Sequence, residues 1–549
     1  MTEKPALSMT SRISRLAIAL GLFALLYSLT NTYAEKIFLG KQIDGFNTSS
    51  HLPQVNLYVL ATAIDANISF IASMIVPYSW SIILFCVSFF MVKTSRQLSL
   101  LTQRLVLATL FACLIFYLFP ARFSFVRPSI DNWTQLGYQF LAATDKPFNQ
   151  FPSLHVTYAL LLGITLWQPI KVDNWHLTLL YRLLLVGICS LIIVSTVFTY
   201  QHHLLDVIGG FVLAALVLIM VNQLRSYLVV KYITLAITGF LLIAIAGFFL
   251  SLSFATSNFS HLYSLNISFS LVIEGLFFVL ALYWSISFLA VAWLYQYPSQ
   301  MRNKNCFKKD RQGRLSLATW VKFAPLLLSY RLMSSLGQGY ELRWLNKGDG
   351  KLRTDKAPSL YRFIYNPKAY HLANGIYAVA TPRLAKATML NGLATMNAHT
   401  DNYHIIIVDL TAEVSSHFST LKMAIKDSSD MSMTLDYLYL PLLDLQSLGE
   451  INLKDIVHLF EQLDELLLTK DARKSEILIN FHCVMGLSRS VALHVLYLAY
   501  LGKSTTDLTT DNYLSWINEH YPNAHINAEY LPKAIVEHMA IAKTDKKTL

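Results

Sequence analysis

Two groups of residues in this chain have the types and spacing to handle phosphate. The first is His482-Cys483-Val484-Met485-Gly486-Leu487-Ser488-Arg489-Ser490, which fits H-C-x5-R-S. The apolar run 477–483 before it reads as a strand, and 490–502 after it reads as a helix closed by a glycine. A strand then delivers Cys483 to the base of a loop that opens a helix. The backbone N–H groups of such a loop, with Gly486 in it, form an anion nest, and the helix N-terminus adds positive potential. Arg489 can hold two phosphate oxygens at once. The same field favours the Cys483 thiolate, the form that attacks phosphorus. Ser490 can stabilise that thiolate when it leaves in a second step. An acid must protonate the departing oxygen; Asp444 in Leu-Pro-Leu-Leu-Asp is the candidate and Asp436 the runner-up.

The second group is Phe151-Pro152-Ser153-Leu154-His155-Val156 together with His202-His203-Leu204-Leu205-Asp206-Val207-Ile208-Gly209-Gly210. His202 and Asp206 are four apart, so they share one helix face. An aspartate there fixes the imidazole tautomer and makes the other ring nitrogen a better nucleophile. His155 can then act as acid and base for the leaving group. Arg127, with Arg122 or Lys146, would neutralise the phosphate, and Ser153 joins the phosphate-binding set.

These residues sit on very different scaffolds. Of 549 residues, 54% are hydrophobic and only 14% charged, against about 25% charged in soluble domains. That excludes a purely soluble chain and a disordered one. The apolar residues concentrate before residue 300. Runs near 16–33, 67–92, 103–120, 154–169, 178–200, 204–222, 232–252 and 269–296 predict about eight membrane spans. Net charge is +11, but no basic stripe is interleaved with aromatics, so nucleic acid is not an expected partner. The five cysteines include no CxxC, so neither a disulfide framework nor a metal site is expected, and the chemistry needs no cofactor.

Positive charge sets the expected orientation. Lys93, Arg96, Arg104, Lys171, Arg182, Arg225, Lys231 and the cluster Arg302, Lys304, Lys308, Lys309, Arg311 and Arg314 all fall on one side. Lys36, Lys41, Arg122, Arg127 and Lys146 fall on the other. The N-terminus and everything after about 298 are therefore expected in the cytoplasm, with the His202 group on the opposite face. Residues 298–314 read as a basic linker for anionic headgroups, and 315–338 as an interfacial amphipathic helix. Past residue 340, short strands at 375–380, 403–410 and 477–483 alternate with helices, with 437–444 a strand or loop, which predicts an α/β domain.

The Cys483 loop and the segment 405–413 resemble the dual-specificity branch of the cysteine-dependent protein tyrosine phosphatases, over roughly residues 345–545. That resemblance implies a phosphocysteine intermediate and no metal. Residues 70–225 resemble the type 2 phosphatidic acid phosphatase superfamily, whose motifs are K-x6-R-P, P-S-G-H and S-R-x5-H-x3-D. The resemblance implies a phosphohistidine on His202 and leaving-group protonation by His155. The chain departs from the motifs at Pro120 (for lysine), Leu154 (for glycine) and Thr196 (for arginine). These departures resemble the branch with inositol phosphorylceramide and sphingomyelin synthases, which implies headgroup transfer as an alternative to hydrolysis.

The expected organisation is residues 1–66 as first span and loop, 67–225 as phosphatase-like membrane core, and 226–297 as two added spans. Residues 298–344 follow as linker and interfacial helix, and 345–549 as a cytoplasmic α/β cysteine-phosphatase domain. The expected protein is a bifunctional phosphatase of a bacterial inner membrane, acting on a phospholipid or phosphoprotein among membrane lipids. The Cys483 loop carries one fixed cation, which favours a substrate with a single phosphate: phosphotyrosine, phosphoserine/threonine or a lipid headgroup. The alternative is a transmembrane signalling phosphatase whose membrane part senses lipid or transfers headgroups.

Overall fold

The computed structural model describes residues 7–44, 58–167, 175–255, 263–297, 306–310, 313–329, 370–373, 376–381, 402–412, 432–443, 446–469, 476–483, 488–502, 508–521, 524 and 526–542. The chain divides into two units, residues 1–292 and 293–549.

The first unit is helical among its described residues: α1 Met9–Asp44, α2 Ile75–Met91, α3 Ser95–Leu118, α4 Gln135–Thr144, α5 Leu154–Trp167, α6 Trp175–Phe198, α7 Leu204–Gln223, α8 Tyr227–Ala255 and α9 Tyr263–Gln296. Seven of them, α1–α3 and α6–α9, are long and apolar enough to cross a membrane, which marks an integral membrane protein. The expected count was about eight. The difference is α5, whose 14 residues rise only about 21 Å against a hydrocarbon core of about 30 Å.

Helix α5 nevertheless runs alongside its spanning neighbours. Near its end, Tyr181 of α6 donates to Leu166 O at 3.0 Å, and Arg104 of α3 donates to Thr165 Oγ1 at 2.8 Å. Near its start, Ser153 N donates to Asp206 O at 3.0 Å, and Thr157 Oγ1 donates to Gly210 O at 3.1 Å. So α5 and α7 leave one end of the bundle side by side, and α3 and α6 run antiparallel to them. Helix α3 is central, with Leu101, Leu105, Leu107, Ala108, Leu110 and Ala112 buried. Its start is fixed by Thr94 Oγ1, which accepts from Gln97 N, while Gln97 Oε1 accepts from Thr94 N, both at 3.2 Å.

In the second unit, residues 306–310 and 313–315 form a tight turn with an antiparallel bridge between Lys309 and Leu315, followed by α10 Leu317–Ser329. Phe307 and Phe323 are buried and stacked at 4.7 Å. The opposite face of α10 exposes Leu317, Val321 and Leu328. Strands β1 Tyr370–Ala373, β2 Ile376–Thr381, β3 Asn402–Thr411, β4 Ser432–Leu442 and β5 Glu476–His482 build one sheet in the order β1-β2-β5-β3-β4. All neighbours are parallel except the β1–β2 hairpin. Alternation puts Ile406, Val408, Leu410, Ile477, Ile479 and Phe481 on one face, against α11 Leu453–Thr469, α12 Arg489–Leu501, α13 Tyr513–His520 and α14 Lys533–Ala542. Helix α12 is buried along almost its whole length, with Arg489, Ser490 and His494 among its apolar residues. It ends at Gly502, whose φ of +88° suits glycine.

The basic stretch after α9 differs from its reading as a headgroup-facing linker in one respect. The Lys309 side chain is fully buried, drawn in by the Asp409 carboxylate at 2.6 Å.

Candidate functional site

The His202 group assembles at one end of the helical unit. Helix α7 is capped at His203, where Asp206 Oδ2 reaches back to accept from His203 N at 2.8 Å. The next orphan donor, Leu204 N, is met from another part of the chain by Asp65 Oδ1 at 2.8 Å. Burial would raise Asp65, but the Thr62 hydroxyl, the Leu204 and Thr62 amides and His203 hold its carboxyl below the usual range. Two glycines let α7 approach the 151–156 segment. A Cβ on Gly209 would collide with the Phe151 ring, and one on Gly210 would lie 2.7 Å from Ser153 O.

That close approach brings the two histidines together. The His155 and His202 ring centroids lie 6.0 Å apart. His202 Nδ1 faces Asp206 Oδ2 at 3.6 Å, longer than a hydrogen bond, so the carboxylate orients the ring electrostatically and Nε2 is turned away from it. His155 is stacked on Tyr78 at 4.3 Å, with the Tyr78 hydroxyl 3.5 Å from Nδ1. Both histidines line a cavity of about 310 Å³, with Leu20, Phe23, Ile82 and Phe85 on its apolar walls.

The cationic residues behave differently from one another. Arg127 donates through Nε to Thr199 O at 3.1 Å and through a terminal nitrogen to Tyr200 O at 3.2 Å, on the turn that leads into His202. Tyr200 sits there at φ +54°. Arg122 lies over the Phe38 ring at 5.3 Å, and Lys146 pairs with Glu35 at 2.5 Å, so neither is drawn to the histidines by these contacts. Ser153 is buried and caps α5, its hydroxyl 3.5 Å from Val156 N. The His203 ring stacks on Phe123 at 4.3 Å, contacts Ser124 Oγ at 3.2 Å and lies 3.9 Å from Asp65 Oδ1.

Sequence reading missed Asp145, which lines the cavity beside both histidines. It accepts from Tyr27 at 2.9 Å and Asn31 at 3.3 Å. Asn149, at φ +55°, ties the same loop to Tyr27 O and Thr30 Oγ1. Burial pushes the Asp145 carboxyl up, against the pull of Tyr27, His202, Asn31 and Arg127. A signal was present: a carboxylate directly after the end of α4, where the helix dipole disfavours it, needs another reason to be there.

In the second unit the candidate residues gather at the C-terminal edge of the parallel strands, where such sheets bind ligands. Cys483 follows β5 and is buried, with the Ser490 hydroxyl 3.3 Å from Sγ. Arg489 is buried at the start of α12 and donates to Leu442 O at 2.7 Å, which joins the end of β4 to the helix. Asp444 and Gly486 lie outside the described residues. Asp436, the runner-up acid, pairs with His404 at 2.9 Å. It lies mid-strand opposite Ile406, three rows back from the Asp409–Tyr439 row, so it is set back from the edge where Cys483 lies.

Asp409, also missed, is the hub of that edge. It accepts from Thr411 N at 2.9 Å, Thr411 Oγ1 at 2.7 Å, Tyr437 at 2.7 Å and Lys309 at 2.6 Å, and lies 3.4 Å from His482 Nε2. Burial alone would raise its carboxyl; Lys309, His482 and Thr411 together hold it well below the carboxylate range. Among the described residues, no cluster of His, Cys, Asp and Glu could hold a metal ion.

No curated protein and no solved structure matches the chain. Against the models of known protein families, residues 48–220 match that of the PAP2 superfamily, and this stretch, which holds His155, His202 and Asp206, is a PAP2 superfamily domain.

Proposed function

We propose that this protein is a membrane phosphatase with two phosphate-handling sites, a lipid phosphate site at His202 and a phosphomonoester site at Cys483. The superfamily match suggests lipid phosphatase-type activity. The observation that carries the finer reading is the meeting of His155 and His202, the latter facing Asp206, at a cavity with apolar walls. Such a chamber suits an acyl or prenyl chain whose phosphate lies against the histidines.

In the first step His202 Nε2 attacks phosphorus, the P–O bond to the lipid breaks, and His155 gives its proton to the departing oxygen. Asp206 stabilises the imidazolium side of the ring. In the second step His155 takes a proton from water, the water oxygen attacks the phosphohistidine, and inorganic phosphate leaves. A lipid hydroxyl in place of water would make the same site a headgroup transferase. Arg127, bonded to Thr199 and Tyr200 on the turn that leads into His202, is the candidate cation, and Ser153 and Arg122 complete the proposed phosphate-binding set.

For the Cys483 site the support is local. A strand, a cysteine and a helix opened by Arg489 stand at the edge of a parallel sheet, with Ser490 in contact with the sulfur. Cys483 Sγ attacks phosphorus and the leaving oxygen takes a proton from Asp444. Water then hydrolyses the phosphocysteine while Ser490 donates to the returning thiolate. Arg489 and the Gly486 loop cradle the phosphate.

The bundle geometry supports counting α5 as a crossing. Both ends of the helical unit then share one side with the Cys483 domain, and the His202 site faces the other. The domain order proposed is 67–225 for the membrane core, 226–297 for two added helices, and a C-terminal phosphatase-like domain within 298–549.

The deciding experiment is phosphate release by the full-length protein in detergent. It compares phosphatidic acid, phosphatidylglycerophosphate and a phosphotyrosine peptide for wild type, His202→Ala and Cys483→Ser. Loss of lipid turnover in His202→Ala supports the membrane site. Loss of peptide turnover alone in Cys483→Ser favours the signalling reading, and loss of lipid turnover there makes the second site a lipid enzyme too. Release unchanged in both variants overturns the proposal.

A further inference from the structure

Lys309 stands in a run of six basic residues between 302 and 314, and a lysine that served lipid headgroups would be exposed. Its side chain instead has no exposed surface. Nζ donates to Asp409 Oδ2 at 2.6 Å, Thr411 O at 2.6 Å and Thr411 Oγ1 at 2.8 Å, and lies 4.8 Å from the centre of the Tyr439 ring. All three ammonium protons therefore have acceptors, the condition under which a buried cation is tolerated.

The turn that carries it is built for delivery. Asp310 N donates to Arg314 O at 3.0 Å, Gly313 N to Asp310 O at 2.9 Å and Ser316 N to Lys308 O at 3.2 Å. The Tyr439 hydroxyl donates to Phe307 O at 2.8 Å, which pins the turn to β4.

The target of this delivery is next to the nucleophile. Asp409 pairs in register with His482, its Oδ1 lies 3.4 Å from His482 Nε2, and Cys483 is the following residue. The contacts form a line: ammonium, carboxylate, imidazole, thiol-bearing residue.

We propose that Lys309 is a positioning residue for Cys483, holding the Asp409 carboxylate against His482 so that the residue entering the phosphate loop keeps one orientation. The inference rests on the reading of Cys483 as a nucleophile. Lys309 touches no substrate. Its consequence is that the segment following the last candidate span completes the C-terminal site, so undocking the turn disables Cys483.

The test uses full-length protein in detergent with p-nitrophenyl phosphate as the probe, counting only the turnover lost in Cys483→Ser. The variants are Lys309→Met and Lys309→Met/Asp409→Asn. Three quantities are read: kcat and KM, the rate of Cys483 alkylation by iodoacetamide at pH 7, and the thermal midpoint. Lys309→Met is expected to lower kcat about tenfold or more with KM changed less than about twofold, and to slow alkylation about fivefold.

The double variant removes both buried charges, so its midpoint should return to near that of the wild type while kcat and alkylation stay low. Recovery of kcat along with the midpoint would make the pair a structural one and overturn the proposal, as would unchanged kcat and alkylation in Lys309→Met. If Cys483→Ser leaves turnover untouched, the nucleophile reading falls separately. The alkylation rates then decide the role of Lys309, an unchanged rate in Lys309→Met overturning it and a slowed one sustaining it.

Discussion

Ser153 and Asp206 are joined backbone to backbone: the amide of one donates to the carbonyl of the other at 3.0 Å. Through that bond the first residues of α5 and α7 form one ledge, and His155 and His202 stand on it with ring centroids 6.0 Å apart. The histidines owe their spacing to backbone, so their side chains can be changed without moving the ledge.

Removing them should therefore separate chemistry from folding. His202→Ala is expected to lower kcat for phosphatidic acid about a thousandfold, His155→Ala about a hundredfold, and Asp206→Asn about tenfold. The thermal midpoints of the two alanine variants should stay close to that of the wild type. Phosphate release and a parallel melt check this, and high turnover in His202→Ala would remove it as nucleophile.

The ledge itself should be sensitive to a single methyl group. Gly210→Ala puts a Cβ 2.7 Å from Ser153 O and 2.8 Å from Val156 and should cost about 1–3 kcal/mol. Gly21→Ala in α1 meets nothing within 4 Å and should be neutral or slightly stabilising. Thermal midpoints of the two variants in one detergent give the comparison.

Asp145 offers a pH test in the same unit. Its folded-state carboxyl is raised by burial, so ionising it works against the fold. The penalty is absent below the unfolded value, about 3.9, and grows as pH rises toward the folded value. Asp145→Asn should flatten the midpoint-versus-pH curve above pH 4. Because a negative charge beside the phosphate is lost, it should also lower KM for phosphatidic acid about threefold.

Asp409 has the opposite sign. Its folded-state carboxyl is depressed, so its contribution is fully present above the unfolded value of about 3.9 and is lost as pH falls through the folded value. The second unit should lose stability on acidification below about pH 4. The Lys309→Met/Asp409→Asn protein should lose less over the same range, as followed by tryptophan fluorescence.

The resemblance to cysteine phosphatases begins near residue 345, but the domain's contacts begin earlier. A fragment starting at 345 lacks Phe307 and Lys309, so Asp409 is left as a buried charge without its cation. It should express mainly as aggregate or melt well below a fragment starting at 298, as gel filtration and a melt would show.

The places of His155, His202 and Asp206, and of Cys483 after a strand and Arg489 at a helix start, were legible because each motif has fixed residue types at fixed local spacing. His202 and Asp206 stand four apart in sequence; a cysteine follows a strand and an arginine opens a helix. The strands β2, β3 and β5 were legible from short, mostly apolar runs, as expected for buried parallel strands. Asp65, Asp145 and Lys309 were not legible as site residues, because each acts on a partner far away in sequence: Leu204, Tyr27 and Asp409. Nothing local separates Lys309 from Lys308. The run at 154–169 was read as a span like the rest because its hydropathy matches theirs, although the helix it forms, Leu154–Trp167, is shorter.

The Ser153–Asp206 bond also fixes an order of events during synthesis. The His202 site draws on residues from Leu20 in α1 to Gly210 in α7, so a growing chain has no site until α7 has entered the bundle beside α5. From that moment the site can be complete. Helices α8 and α9 then join a pair already assembled, and a chain halted after residue 225 should already hold its two histidine rings 6.0 Å apart.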